Sequence, residues 1–145
     1  MDNHALYNLA TKAIIQNDAG EILLLHAHPH QGIQAAVSYW DLPGGRAEEG
    51  AAILETLARE ITEETGLTMT GEPTYIAAGI SHFSKMIDDR PVGLVLFAYR
   101  CMVADISAIK LSDEHHEFQW TPPQKAADLL HVKYPQEFCE AISKL

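Results

Sequence analysis

The chain has 145 residues, of which 47% are apolar, and a formal net charge of −10 at pH 7. That length suffices for one domain with a real core, and the acidic balance argues against gripping long nucleic acids by neutralising their phosphates. No apolar run is long enough to span a membrane and no leader pattern opens the chain, so a single cytoplasmic domain over residues 1–145 with no membrane partner is expected.

Met1 to Leu9 carries little pattern and reads as a loose end or a short edge segment. Thr11 to Gln16 and Glu21 to His26 read as strands joined by the turn Asn17-Asp18-Ala19-Gly20, an opening hairpin. The run Ile22-Leu23-Leu24-Leu25 is apolar on consecutive residues, which fits a strand covered on both faces. Ala27 to Tyr39 has no period, holds Pro29 and Gly32, and reads as a long loop. His26, His28 and His30 invite a metal reading there, but Pro29 interrupts the geometry and exposed loop histidines are common. Tyr39 or Trp40 could stack on a base; Trp40 fits equally well as core at the strand edge.

Gly44 and Gly45 then form a turn stiffened by Pro43, where backbone N–H groups can approach a ligand closely. From Ala51 to Thr65 there is no Pro or Gly, and Gly66 stands where a left-handed cap would end a helix. At 100° per residue Leu54, Leu57, Ala58, Ile61 and Thr65 share one face, and Glu60, Glu63 and Glu64 fall on a neighbouring arc. Like charges gathered near a helix C-terminus repel each other and oppose the dipole. A divalent cation resolves that conflict, and a carboxylate shell suits Mg2+, Mn2+ or Ca2+ better than Zn2+. A solvated acidic face with Arg59 as partial counter-ion is the plain alternative. The open glycine turn beside the carboxylates favours a site for a phosphorylated substrate.

Thr74 to His82 and Gly93 to Val103 read as strands, separated by a polar loop over Ser84 to Pro91. Lys85 and Arg90 in that loop are candidates for a terminal phosphate, with solvated surface charge as the alternative. Ser112 to Glu117 is a second acidic cluster leading into the strand-like Phe118-Gln119-Trp120, and Gln124 to Leu130 and Pro135 to Lys144 look helical. Cys101 in a strand-like run and Cys139 in a helix-like one, with no metal-ligand spacing, read as small core fillers in a reducing compartment.

Gly45 to Leu67 resembles the Nudix box, Gly-x5-Glu-x7-Arg-Glu-U-x-Glu-Glu-x-Gly-U, where U is aliphatic. Gly45, Arg59, Glu60, Ile61, Glu63, Glu64, Gly66 and Leu67 match, and Ala51 stands in place of the first Glu, with Glu48 and Glu49 just upstream. The resemblance, to MutT-like Nudix hydrolases, implies an α+β fold, an α/β/α sandwich with a mixed sheet between helices. It also implies metal-dependent hydrolysis of a diphosphate linkage in a nucleoside diphosphate derivative. On this analogy Glu60, Glu63 and Glu64 hold Mg2+, or Mn2+, Arg59 orients them, and Gly44 and Gly45 shape the turn. A loop late in the chain often adds a metal ligand or general base, which leaves Glu114 and Glu117 both open here, a solvated turn being the alternative for either.

Family subgroups acting on ADP-ribose or on dinucleoside polyphosphates carry a Pro or a Tyr past the box, and Ser81-His82-Phe83-Ser84 has neither. A nucleoside triphosphate is therefore the preferred small-molecule substrate. The alternatives are ADP-ribose or a nucleotide sugar, or a non-catalytic module that senses a nucleotide, which Ala51 favours. Monomer and homodimer both remain compatible with the sequence.

Overall fold

Ile22, Leu23, Leu24 and Leu25 are all fully buried, as a strand with both faces covered requires. The computed structural model describes residues 3–28 and 38–145, and this run lies in β2 (Ile22–Ala27). Ile22 and Leu24 pack into one apolar core while Leu23 and Leu25 enter another, so a single strand separates two layers of packing.

β2 is the centre of a three-stranded antiparallel sheet, between β3 (Tyr39–Asp41) and β8 (His115–Thr121). The larger sheet is mixed and runs in the order β4 (Gly44–Arg46), β1 (Leu6–Ile14), β7 (Arg90–Val103), β5 (Met69–Ile80), with β6 (Lys85–Ile87) also paired to β7. On one side α1 (Ile53–Thr65) buries Leu57 and Ile61 against Ala13, Leu23, Leu25 and Cys101. On the other, α2 (Pro123–Leu130) and α3 (Gln136–Ser143) bury Ala126, Ala127, Leu130, Phe138 and Ile142. This is the expected α+β fold, with the strands between helices. Among the described residues no helix is long and apolar enough to cross a membrane.

Three local expectations change. The opening hairpin closes only at its turn, where the Asn17 amide donates to Glu21 O at 3.0 Å and Gln16 bridges Ile22; beyond it β1 and β2 part into different sheets. β1 instead lies parallel to β7 from Leu6 opposite Val92 to Ile14 opposite Arg100, so Leu6 to Leu9, read as a loose end, belongs to an interior strand. A partner that distant in sequence leaves no trace in local periodicity. The polar loop after β5 folds as the β6–β7 hairpin, turning on Asp88 and Asp89 with φ of 49° and 61°. Two consecutive positive φ values match the twist of a two-residue hairpin loop, and Asp tolerates that region better than most residues.

α1 ends as expected, with Gly66 at φ 72° and its amide donating to Thr62 O. Its buried face is rotated from the expected stripe. Leu54 is 39% exposed, whereas Glu64 is 4% exposed and packs inward beside Thr65. The helix therefore drives a carboxylate toward the sheet.

Candidate active site

Pro43 bends the chain into β4, so Gly44 and Gly45, expected in a turn, are strand residues opposite Lys12 and Thr11; the Gly44 amide donates to Glu64 Oε1 at 3.0 Å, reaching from the start of β4 to the last turns of α1. Beside it Gly45 lies flat against Glu60; a Cβ added there would stand 2.5 Å from the Glu60 carboxyl carbon. The glycines thus allow two carboxylates to gather against β4. Arg59 closes the arrangement, with Nη2 3.3 Å from Glu60 Oε1, Nη1 3.8 Å from Glu48 Oε2 and Nε 3.8 Å from Glu63 Oε1.

These groups open onto a cavity of about 610 Å3. Gly44, Gly45, Arg59, Glu60, Glu64 and Glu114 all line it, as do Glu48, His115, Tyr39 and Lys85. Glu63 and Glu117 are not among the lining residues: Glu63 turns toward Arg59, and Glu117 toward His26 and His116. Arg90 pairs within the β6–β7 hairpin instead, and Trp40 stacks on His26 with ring centroids 4.5 Å apart. His30 lies outside the described residues.

Behind the carboxylates is a buried polar network with no counterpart among the sequence-based expectations. Asp41, at the end of β3, receives Lys133 Nζ at 2.6 Å and Lys12 Nζ at 3.2 Å on Oδ2, and the Tyr134 hydroxyl donates to Oδ1. Burial pushes the Asp41 carboxyl up, but the two ammonium groups outweigh it and hold the group well below the usual carboxylate range. Burial brings Lys133 down to about 8 against the pull of Asp41, whereas Asp41 and Glu64 together outweigh burial at Lys12 and raise it. Lys133 Nζ also lies 5.5 Å from the centre of the Tyr39 ring, which meets Phe83 edge-on. The signal available in the sequence was Lys12 itself, a lone cation in the strand-like run Thr11 to Gln16.

Glu64 carries the electrostatic tension of the site. Burial raises its pKa to about 8 although Lys12 and the Gly44 amide pull it down, with Asp41 and Glu60 adding repulsion. His115 Nδ1 lies 3.5 Å from Glu64 Oε2, and ligand atoms of Glu64, Glu114 and His115 lie within 4.8 Å of one another. A divalent cation fits this donor set, because it supplies the positive charge that burial otherwise denies to Glu64.

A carboxylate pair against the glycines of β4, in the wall of a cavity that cationic side chains also line, is a site for a phosphorylated ligand. Comparison with known proteins agrees. The family model described as NUDIX domain matches residues 6–141, and the chain belongs to that family. It is similar to the nucleoside triphosphatase NudI of Escherichia coli, at 30% identity over 122 residues covering 81% of this chain and 82% of the relative. The crystal structure of the MutT protein from Methanosarcina mazei Go1 superposes with a TM-score of 0.67 at 29% identity, covering 99% of this chain and 97% of that one. A MutT NUDIX hydrolase from Burkholderia pseudomallei shares the fold, with a TM-score of 0.67 at 22% identity over 95% of this chain and 97% of its own. The protein is a pyrophosphohydrolase acting on phosphoanhydride bonds of nucleoside diphosphate derivatives, in a family that generally uses divalent metals.

Proposed function

We propose that the chain hydrolyses a nucleoside triphosphate with Mg2+ or Mn2+ held by Glu60 and Glu64, as a single domain over residues 1–145 in the cytoplasm. The observation that carries this reading is Glu64, a buried carboxylate with its pKa pushed to about 8 and Glu60 beside it. When bound, the cation neutralises charge on phosphate oxygens and lowers the pKa of the attacking water. Glu64 is held in place by the Gly44 amide, and Glu60 by Arg59. Glu63, on the outer side of Arg59, steadies that guanidinium rather than facing the cavity. The proton of the attacking water goes to Glu60 or to Glu114, the late carboxylate that lines the cavity. Lys85, which lines the cavity, would meet the terminal phosphate, and Tyr39 with Phe83 would offer apolar walls to the base. The triphosphate preference draws on the NudI relative and on the absence of the other subgroup markers at Ser81 to Ser84.

The second reading, a nucleotide-sensing module, rests on Ala51 at the box position where the pattern has Glu. One experiment separates the two: incubation with a panel of nucleoside triphosphates, ADP-ribose and nucleotide sugars in Mg2+, read as phosphate and pyrophosphate release. Turnover of a triphosphate abolished by chelator is the expected result. Binding without turnover across the panel would favour the sensor.

A further inference from the structure

The pairing of β2 with β8 runs in register from Ile22 opposite Thr121 to His26 opposite Glu117, then slips so that Ala27 faces His115. His116 is the extra residue of this bulge, and bulges commonly re-aim a side chain. Here the bulge brings His116 Nε2 to 2.7 Å from His26 Nδ1. Glu117 Oε1 completes a triangle, 3.1 Å from His26 Nδ1 and 3.5 Å from His116 Nε2.

We infer that His26, His116 and Glu117 form a binding site for a zinc-type divalent ion, separate from the hydrolytic cavity. Nitrogen and oxygen ligands about 2.0–2.2 Å from a tetrahedral Zn2+ lie roughly 3.3–3.6 Å from one another; the two edges to Glu117, at 3.1 and 3.5 Å, stand near that spacing, and the His26–His116 edge opens from 2.7 Å to admit the ion. A hydrogen bond between two imidazoles explains only part of the arrangement. His26 Nδ1 faces both His116 Nε2 and Glu117 Oε1, and one proton on that nitrogen cannot point at both. A cation at the centre of the triangle satisfies all three lone pairs at once.

The surroundings are those of a metal ligand set. His28 Nε2 lies 3.1 Å from His116 Nδ1, the ring nitrogen turned away from the triangle, and so holds that ring's orientation. His26 is held by its stacking on Trp40. The His116 and Glu117 side chains are 39% and 54% exposed, leaving a path for the ion and an open position for water. Two imidazoles with one carboxylate select Zn2+ or a similar transition ion over Mg2+, which suits the carboxylates of the cavity. None of His26, His116 and Glu117 lines that cavity. The site does not depend on the substrate assigned above.

The test is a calorimetric titration of the untagged full chain with Zn2+ in saturating Mg2+, followed by Co2+ substitution to read tetrahedral ligation from visible absorption. Wild type should take up one saturable equivalent, and Glu64→Gln should keep it. His26→Ala and His116→Ala should each weaken it by roughly 10-fold or more, and His28→Ala by about 10-fold. Circular dichroism and melting temperature confirm that each variant is folded, and either ligand variant alone carries the test if the other is not. Absence of saturable uptake in wild type overturns the site. So does uptake that survives the histidine substitutions or is lost in Glu64→Gln.

Discussion

The Gly44 amide donates to Glu64 Oε1 at 3.0 Å, so the start of β4 and the buried carboxylate of α1 hold each other in place. The two glycines of that strand should fail in different ways. At Gly45 an added Cβ meets the end of the Glu60 side chain, 2.7 Å from both carboxylate oxygens, and Glu60 can swing aside without moving the backbone. Gly45→Ala should therefore lower kcat by about 10- to 100-fold with little change in melting temperature. At Gly44, with φ 148°, the Cβ would stand 2.0 Å from the Thr11 carbonyl oxygen in β1, so Gly44→Ala should instead destabilise the fold. Parallel measurements of kcat and melting temperature check both, and equal effects on stability would contradict the distinction.

Glu64 makes stability depend on pH with a sign unusual for a carboxylate. Burial raises its pKa from 4.5 to about 8, so between those values the metal-free folded chain keeps a proton that the unfolded chain has released. Its contribution to folding stability should therefore fall as pH rises from 4.5 to about 8 in chelator. Glu64→Gln should remove that slope while lowering turnover by a factor on the order of 100 or more, the scale of a lost electrostatic stabiliser. Urea unfolding across this range in EDTA measures it; an unchanged slope in the variant would show that Glu64 is not its source.

Asp41 compensates two buried ammonium groups, Lys12 and Lys133, and accepts from Tyr134 as well. Asp41→Asn keeps the shape but leaves both cations without their counter-ion. Breaking a buried pair this way costs about 3–5 kcal/mol. Urea unfolding at neutral pH should show a loss of that order, whereas a loss under about 1 kcal/mol would mean that water replaces the carboxylate.

Much of this arrangement was legible in the sequence where a signal is local. α1 was marked by a run free of Pro and Gly and by Gly66 after it, and β2 by four consecutive apolar residues. What escaped was whatever depends on a distant partner. The β1–β7 ladder is made of backbone hydrogen bonds, which no side-chain pattern between Leu6 and Leu9 announces. Helical spacing placed Glu60, Glu63 and Glu64 on one arc, but it could not say how far that arc turns into the sheet; burial of Thr56 and Glu64 in place of Leu54 decides it. Lys133 and Asp41 meet across 92 positions, and His26 meets His116 across 90, so both clusters exist only in the folded chain.

Ala51 is the box position that departs from the family pattern, and the fold gives a reason to expect activity without a carboxylate there. It lies just before α1, its amide donating to Glu48 O at 3.0 Å, and it does not line the cavity. Glu60 stands about 10 Å along the axis from the helix's first residue, Ile53, at 1.5 Å per residue, so a side chain at position 51 starts more than a helical turn from the cation ligands. Glu48, from the same turn, already lines the cavity and faces Arg59 at 3.8 Å, supplying a carboxylate at the edge of the site. Groups at that remove tune activity rather than create it, so wild type should be active and Ala51→Glu should change its rate by no more than about 10-fold in either direction. Steady-state rates on the preferred triphosphate in Mg2+ measure this directly. A wild type inert on a broad nucleotide panel, beside an Ala51→Glu variant that turns one member over readily, would reverse the assignment and make the native chain a nucleotide sensor.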